Sequence, residues 1–123
     1  MTRCPCDTGL PYARCCGPLH AGGRAATAVA LLRSRYSAFV LGDVAHLLRT
    51  WHPSTCPSQL VLDPDVRWTG LEVLSTTAGG LLDTTGEVTF RAHHGPGSQH
   101  ERSRFSKVDG DWRYADGVSF RDV

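Results

Sequence analysis

Apolar residues in the first half of the chain recur at the spacing of an α-helix. Between residues 25 and 41 they form one stripe with a period of about 3.6 residues, made of Val29, Leu32, Tyr36, Phe39 and Val40. Gly42 is a natural C-terminal stop, and Asp43 can cap a second helix. That second helix ends before Pro53 and presents on one face Val44, Leu47, Leu48 and Trp51. The pattern predicts two amphipathic helices that need a surface to cover.

The second half of the chain alternates between apolar and polar residues, as β-strands do. In residues 87–93, Val88, Phe90 and Ala92 point to one side and the residues between them to the other. Residues 66–68 and 71–74 indicate two short strands or one bent strand, and further strands are predicted at 99–108 and 112–115. Turn sequences at 94–97 and 109–111 separate them. Helices followed by antiparallel strands predict an α+β domain with its helices on one face of the sheet.

Four of the five cysteines form a C-x-C pair and a C-C pair near the N-terminus, and they are Cys4, Cys6, Cys15 and Cys16. Four thiolates this close together can surround one tetrahedral ion at about 2.3 Å each, which is the closed ligand set of structural zinc. Two disulfides are the competing interpretation. Bridges within a pair would be strained, however, and a reducing cytosol disfavours bridges between the pairs. The sequence predicts one Zn²⁺ that orders a segment too short to bury a core of its own.

Composition and charge narrow the class of protein. The chain has 123 residues and a formal charge of +1, with basic residues scattered among acidic ones, which argues against binding to duplex nucleic acid. No apolar run approaches the length of about 20 residues that crosses a bilayer. The first six residues lack the apolar segment of a secretory signal. We therefore expect one cytoplasmic domain without a membrane span.

Several separated motifs carry a resemblance to a known family. Residues 4–17, CPCDTGLPYARCCG, resemble the SEC-C motif, a zinc knuckle named after the C-terminus of the bacterial translocation motor. Four further segments resemble the YchJ-like family of small bacterial proteins, namely 18–22 (PLHAG), 35–39 (RYSAF), 50–53 (TWHP) and 100–105 (HERSRF). The resemblance implies a knuckle in residues 1–22, joined to a nuclear-transport-factor-2-like cone of cystatin-like fold in residues 23–123. Gly22 and Gly23 offer a hinge between the two.

The strand at residues 99–108 is unusually polar. Its two faces carry His100, Arg102, Arg104 and Ser106 on one side, and Glu101, Ser103, Phe105 and Lys107 on the other. A packed core accepts neither charged set unpaired. The strand therefore either lines a polar cavity of the kind that the resemblance implies, or lies at an edge or against another subunit. The residues predicted to line a cavity are Tyr36, Trp51, His52, Glu101 and Arg104.

Each of these residues also has a structural interpretation. His52 can bond the last carbonyls of the second helix, whereas Tyr36 and Trp51 can be core residues.

Two functional hypotheses follow, and we favour the first. In the first, the protein is an interaction module whose knuckle docks a protein partner through the surface at Tyr12 and Arg14, while the cone supports it. In the second, the cavity of the cone binds a small molecule as a binding protein or an enzyme. No phosphate-binding loop, nucleophile elbow or metal-hydrolase motif decides whether it is an enzyme. A mainly structural homodimer is a third hypothesis.

Overall fold

The elements of the protein are described here for residues 2–120 from a computed structural model, so residues 1 and 121–123 of the two predicted ranges lie outside the description. A 3-10 turn at Tyr12–Arg14 precedes three helices: α1 (Cys16–His20), α2 (Ala28–Leu41) and α3 (Val44–Arg49). Four strands follow: β1 (Trp68–Ala78), β2 (Thr85–His94), β3 (Gly97–Val108) and β4 (Asp111–Phe120). They form one antiparallel sheet in the order β1-β2-β3-β4. The predicted α+β fold is confirmed.

Local capping sets the limits of the two main helices. The Thr27 side chain accepts a hydrogen bond from the backbone N–H of Ala30 at 3.1 Å, so α2 begins three residues later than predicted. Gly42 ends α2 in the left-handed conformation with φ 75°, as predicted. Asp43 caps α3 by accepting from the N–H of His46 at 3.1 Å. The caps at Gly42 and Asp43 are therefore those that the sequence indicates.

Helix α3 is shorter than predicted because a strand captures the chain that follows it. The N–H of Tyr114 donates to Thr50 O at 2.8 Å, and the N–H of His52 donates to Tyr114 O at 2.7 Å. An isolated parallel bridge joins Trp51 to Tyr114. These bonds hold the residues after Arg49 beside β4.

The sheet is longer than the alternation indicated. Strand β1 is one bent strand, with register shifts at Trp68–Gly70 and at Val73–Ser75. The β3–β4 turn places Asp109 at φ 52° and Gly110 at φ 84°, which is the backbone of a tight hairpin turn. Strand β4 continues to Phe120, well past the predicted end at residue 115.

The core lies between α2 and the inner face of the sheet, where α2 contacts β1, β2 and β4. Its buried side chains include Leu31, Leu32, Tyr36, Leu71, Val88, Phe90, Phe105 and Trp112. The predicted stripe is partly wrong, because Val40 is 37% exposed while Ser34 and Ser37 are fully buried. Helix α2 is thus covered on a second side as well, where α1, α3 and the knuckle pack against it. Across residues 2–120, the helices are too short or too polar to cross a membrane.

Candidate functional site

The four clustered cysteines come together through a chain reversal and the start of a helix. An isolated antiparallel bridge joins Arg3 to Pro11, and the first pair, Cys4 and Cys6, follows Arg3 on the same arm. The second pair comes directly after the 3-10 turn, where α1 begins. The reversal and the helix start therefore bring the two pairs together.

The sulfur atoms of this cluster fit a tetrahedral metal. All four lie within 4.8 Å of one another, with Cys6 and Cys15 at 3.5 Å and Cys15 and Cys16 at 3.9 Å. Four thiolates at about 2.3 Å from one zinc ion are about 3.8 Å apart, so little movement is needed to bind it. The cysteines are free thiols rather than disulfides. The cluster could hold a metal ion, as the sequence predicts.

Two hydroxyl groups bond sulfurs of the cluster, and the neighbouring thiols shift one another's pKa values. Ser37 Oγ donates to Cys16 Sγ at 3.3 Å, and Thr8 Oγ1 lies 3.1 Å from Cys15 Sγ. The hydrogen bond from Cys16 lowers the pKa of the Cys6 thiol to about 4, with a further contribution from Thr8. The same bond to Cys6, together with burial, raises the pKa of Cys16. The thiols thus share their protons, which a bound dication would displace.

The described part of the knuckle, residues 2–22, packs against the cone and is not joined to it by a free hinge. Leu71 N–H of β1 donates to Asp7 Oδ2 at 3.0 Å, and Arg33 of α2 donates to Cys6 O at 2.7 Å. The predicted hinge glycines form a hydrogen-bonded turn, in which Gly23 N–H donates to Pro18 O at 2.9 Å. The cysteine cluster is therefore attached directly to α2 and β1.

Tyr12 is part of this attachment and not of a free docking surface. The Nε2 atom of His20 lies 2.7 Å from Ser34 O, and a carbonyl only accepts, so Nε2 carries the proton. Nδ1 of His20 then accepts from the Tyr12 hydroxyl at 2.6 Å. Tyr12 is half-buried, whereas Arg14 is exposed.

Behind this contact lies a second histidine, which the sequence did not single out. Ser34 Oγ donates to Leu31 O at 2.8 Å, so it accepts from His46 Nε2 at 2.9 Å. The other ring nitrogen of His46 accepts from Arg49 at 3.0 Å. Burial, followed by the nearby charges of His20 and Arg49, lowers the pKa of His46 to about 4. His46 is therefore a neutral structural residue at physiological pH.

On the opposite side of α2, a cavity of about 240 Å³ opens between the helix, the residues after α3 and the inner face of the sheet. Most of its wall is aromatic or aliphatic, and its polar side chains are Arg35, Gln99, Glu101 and Ser103, with the Tyr114 hydroxyl. Three of the residues predicted for a cavity line it, namely Tyr36, Trp51 and Glu101.

His52 and Arg104 lie elsewhere, and both assignments to the cavity are wrong. His52 Nδ1 accepts from Ser54 Oγ at 2.7 Å and from the backbone N–H of Ser54 at 3.1 Å, so the ring stabilises the turn after α3. It does not bond the helix carbonyls either. Arg104 lies on the outer face of the sheet, where Nε donates to Asp116 Oδ1 at 2.6 Å and Nη2 donates to Oδ2. Alternation puts Arg104 opposite Glu101, which faces the cavity.

Arg35 is the cavity residue that the sequence prediction missed. Its side chain is 5% exposed, and Nη1 donates to Leu47 O and to Thr50 Oγ1, each at 2.8 Å. The guanidinium carbon lies 4.9 Å from the ring centre of Trp51 and 4.7 Å from that of Tyr114. Burial lowers the pKa of Arg35 to about 10, so it stays charged at neutral pH. The sequence feature that could have indicated this role is the position of Arg35 three residues after Leu32, within the apolar stripe.

The fold and the cysteine cluster together define a SEC-C knuckle on a nuclear-transport-factor-2-like cone. Family models agree, since the SEC-C motif matches residues 2–18 and the model described as "YchJ, middle NTF2-like domain" matches residues 27–117. The chain belongs to the YchJ family, whose relatives are named UPF0225 proteins.

Relatives match over almost their whole length. The UPF0225 protein of Streptomyces coelicolor is 61% identical, over 93% of each chain. The one of Corynebacterium efficiens is 49% identical, over 94% of this chain and 92% of the relative.

Two solved structures have the same fold. The solution structure of a SEC-C motif containing protein from Rhodopseudomonas palustris gives a TM-score of 0.81 at 33% identity, over 98% of this chain and 100% of that one. The crystal structure of such a protein from Psychrobacter arcticus gives a TM-score of 0.74 at 32% identity, over 98% of this chain and 84% of that one.

Proposed function

We propose that this protein binds a small molecule in its cone, and that one structural Zn²⁺ holds the knuckle against the helix that forms the cavity wall. The observation that carries the proposal is Arg35, a buried cation in the wall of a mostly apolar cavity. Within residues 2–120, the ion pairs that form at 4.0 Å or less do not include it. A buried charge without an ion-pair partner is costly, and an anionic ligand would supply such a partner.

Zinc is the metal that the donor set favours. Four thiolates in tetrahedral arrangement select zinc over the oxygen-preferring cations, and the thiols stay available in a reducing cytosol. With four protein ligands there is no open position for a reacting group, so the ion is structural. Ser37 links the cluster to α2, whose opposite side carries Arg35 and Tyr36 into the cavity wall. The metal therefore supports the cavity from behind.

Metal content tests the first half of the proposal. We expect one equivalent of zinc in protein purified without chelator, and a marked loss of zinc in Cys15→Ser. The matched control is Cys56→Ser, because Cys56 lies outside the cluster. Protein with no bound metal and an ordered N-terminal segment would contradict the zinc assignment.

A thermal-shift screen with charged and neutral small molecules tests the second half. A compound that occupies the cavity raises the melting temperature, since it binds the folded state alone. Trp51 and Trp68 line the cavity, so the fluorescence of the same mixtures locates the binding. If no compound class changes either signal, the ligand-binding proposal is wrong.

Binding is proposed in preference to catalysis because of what lines the wall. The carboxylate of Glu101 accepts from Ser119 at 3.3 Å. The side chains that line the cavity within the described chain include no histidine, cysteine or lysine. A nucleophile with an adjacent base is the arrangement that covalent catalysis requires.

Docking of a protein partner is the second candidate, favoured by the exposed rim of the knuckle. Leu10 is 49% exposed, and Arg14 is exposed on the same segment. A pulldown should compare wild type with the double variant Leu10→Ser and Arg14→Ser, which leaves the cysteines intact. Partners that are lost in the double variant and in Cys15→Ser would support docking, whereas identical partner profiles would end it.

A further inference from the structure

We propose that the ligand of the cone is a small monocarboxylate, whose carboxylate pairs with the Nε–Nη2 edge of Arg35 and whose apolar body lies among the aromatic side chains. The inference rests on the proposed ligand-binding function and specifies the class of its ligand.

The first step is the set of hydrogen-bond donors that Arg35 has left. A guanidinium carries five N–H groups, and the two on Nη1 are taken by Leu47 O and Thr50 Oγ1. Nε and Nη2 have no acceptor among residues 2–120. These two atoms form one edge of the guanidinium, and two parallel N–H groups on one edge match the two oxygens of a carboxylate.

The second step is that this edge is held in place before any ligand arrives. The two bonds of Nη1 fix the end of the side chain. Trp51 and Tyr114 lie within 5 Å of the guanidinium carbon, and their rings are perpendicular to each other at 81°. Because the donor group is already oriented, little conformational entropy is lost when a ligand binds to it. Its hydrogen bonds therefore contribute to the affinity.

The third step concerns the size and polarity of the rest of the ligand. The cavity of about 240 Å³ is larger than the cavity of about 150 Å³ that binds benzene in another protein. Phe39, Trp68 and Phe90 contribute aromatic surface to its wall. A ring or a short branched alkyl group with one carboxylate fits this volume.

The fourth step is the charge of Glu101 in the same wall. The wall thus holds one cation and one carboxylate, and a dianion would bring one more negative charge beside Glu101 than a monoanion does. Like charges in a partly desolvated site repel strongly. The site should therefore select monocarboxylates over dicarboxylates and over phosphate monoesters.

The experiment titrates the zinc-loaded full chain with benzoate, benzamide and phthalate, followed by calorimetry and by the indole N–H resonances of the tryptophans. Benzamide has the shape of benzoate without its charge, and phthalate adds a second carboxylate. We expect benzoate to bind at least tenfold more tightly than either compound. Equal binding of benzoate and benzamide would overturn the carboxylate assignment and leave the ligand-binding proposal standing. No binding of any of the three at millimolar concentration would contradict both.

Variants locate the interaction. Arg35→Lys keeps the charge but loses the planar edge with two parallel donors. It should lower the affinity for benzoate at least tenfold and change the affinity for benzamide little. Glu101→Gln should bring the affinity for phthalate closer to that for benzoate. Position 101 is partly exposed and tolerates the change, so this variant can be measured even if Arg35→Lys does not fold. Arg104→Gln, on the outer face, is the matched control and should leave all three affinities unchanged. The inference would be overturned if the Glu101→Gln protein discriminated between benzoate and phthalate as the wild type does. It would also be overturned if the Arg104→Gln protein no longer bound benzoate.

Discussion

Two buried serines of α2 bond the elements that pack on that side of the helix, and one of them reaches the cysteine cluster. Ser34 and Ser37 have no solvent exposure, and their hydroxyls bond His46 and Cys16. Serine is a weak helix former, and its presence in the middle of α2 is explained by these contacts.

Ser37→Ala should weaken the metal site without unfolding the cone. The thiolate of Cys16 loses a donor, and removal of such an outer hydrogen bond typically lowers metal affinity by about 10–100-fold. Competition with a chromogenic zinc chelator measures the change. Ser58→Ala, in an exposed loop, is the control. Equal zinc affinities in the two variants would show that the hydroxyl is irrelevant to the metal.

His46 should make the protein less stable in acid. Its pKa is about 4 in the folded protein, below the unfolded value of 6.5, so the unfolded chain takes up the proton first. The stability that comes from neutral His46 is complete above pH 6.5 and is lost as the pH falls towards 4. Between pH 7 and 4.5 this amounts to about 2 kcal/mol.

Urea unfolding of wild type and His46→Gln at both pH values isolates this contribution, since other acid effects are common to the two proteins. Glutamine keeps an N–H donor near Ser34 but does not titrate. The same pH response in both proteins would contradict the prediction.

At the scale of single residues, the sequence predicted a role correctly where the residue acts on its neighbours in the chain. Gly42 and Asp43 end and begin helices through contacts within a few residues, and both were predicted correctly. Arg35 and His46 were missed, because burial of a polar side chain depends on acceptors such as Leu47 O and Ser34 Oγ, supplied by a packed neighbouring element.

At the scale of elements, the β1–β2 hairpin meets the start of α2 through two glycines. The N–H of Ala28 donates to Gly79 O at 2.9 Å. A Cβ atom on Gly86 would lie 2.4 Å from Gly79 Cα and 2.7 Å from Gly79 N. These neighbours are backbone atoms, which cannot turn aside as a side chain can.

Gly86→Ala should therefore destabilise the protein by about 3 kcal/mol, at the upper end of the range for overpacking. Thermal unfolding measures it. Gly97→Ala is the matched control, because a Cβ atom there meets nothing within 4 Å. Similar melting temperatures for the two variants would show that the hairpin adjusts at little cost.

Element type followed from the sequence, while element length often did not. Alternation identified β2, and one bent strand was one of the two alternatives predicted for β1. The end of α3 depends on Tyr114 of β4, which pairs with Thr50 and His52, and the far end of β4 depends on its pairing with β3. Neither segment carries that information alone. The sequence could have excluded Arg104 from the cavity. Side chains alternate between the two faces of β3, so Arg104 and Glu101 lie on opposite faces.

At the scale of the whole molecule, the knuckle and the cone share α2. Independent unfolding of the knuckle would expose Ser34, Ser37 and His20, which are bonded across that boundary. We therefore expect metal removal to loosen α2 as well as the knuckle.

Hydrogen exchange under reducing conditions, with and without a strong chelator, tests this. Amides of residues 31–38 should exchange at least tenfold faster without metal, while those of β2 should change less. Benzoate affinity should fall in parallel if α2 carries the carboxylate site. Unchanged protection of α2 after chelation would mean that the cone is stable by itself.

The two covered sides of α2 also limit how its length can change. A single inserted residue turns everything beyond it by about 100° about the helix axis. Such an insertion before Ser34 would move the Ser37 hydroxyl away from Cys16 and the Arg35 guanidinium out of the cavity together. The exposed segment at Gly22, Gly23 and Arg24 contacts neither site, so added residues there would leave both geometries intact. Changes in chain length are therefore tolerable ahead of this helix and damaging within it.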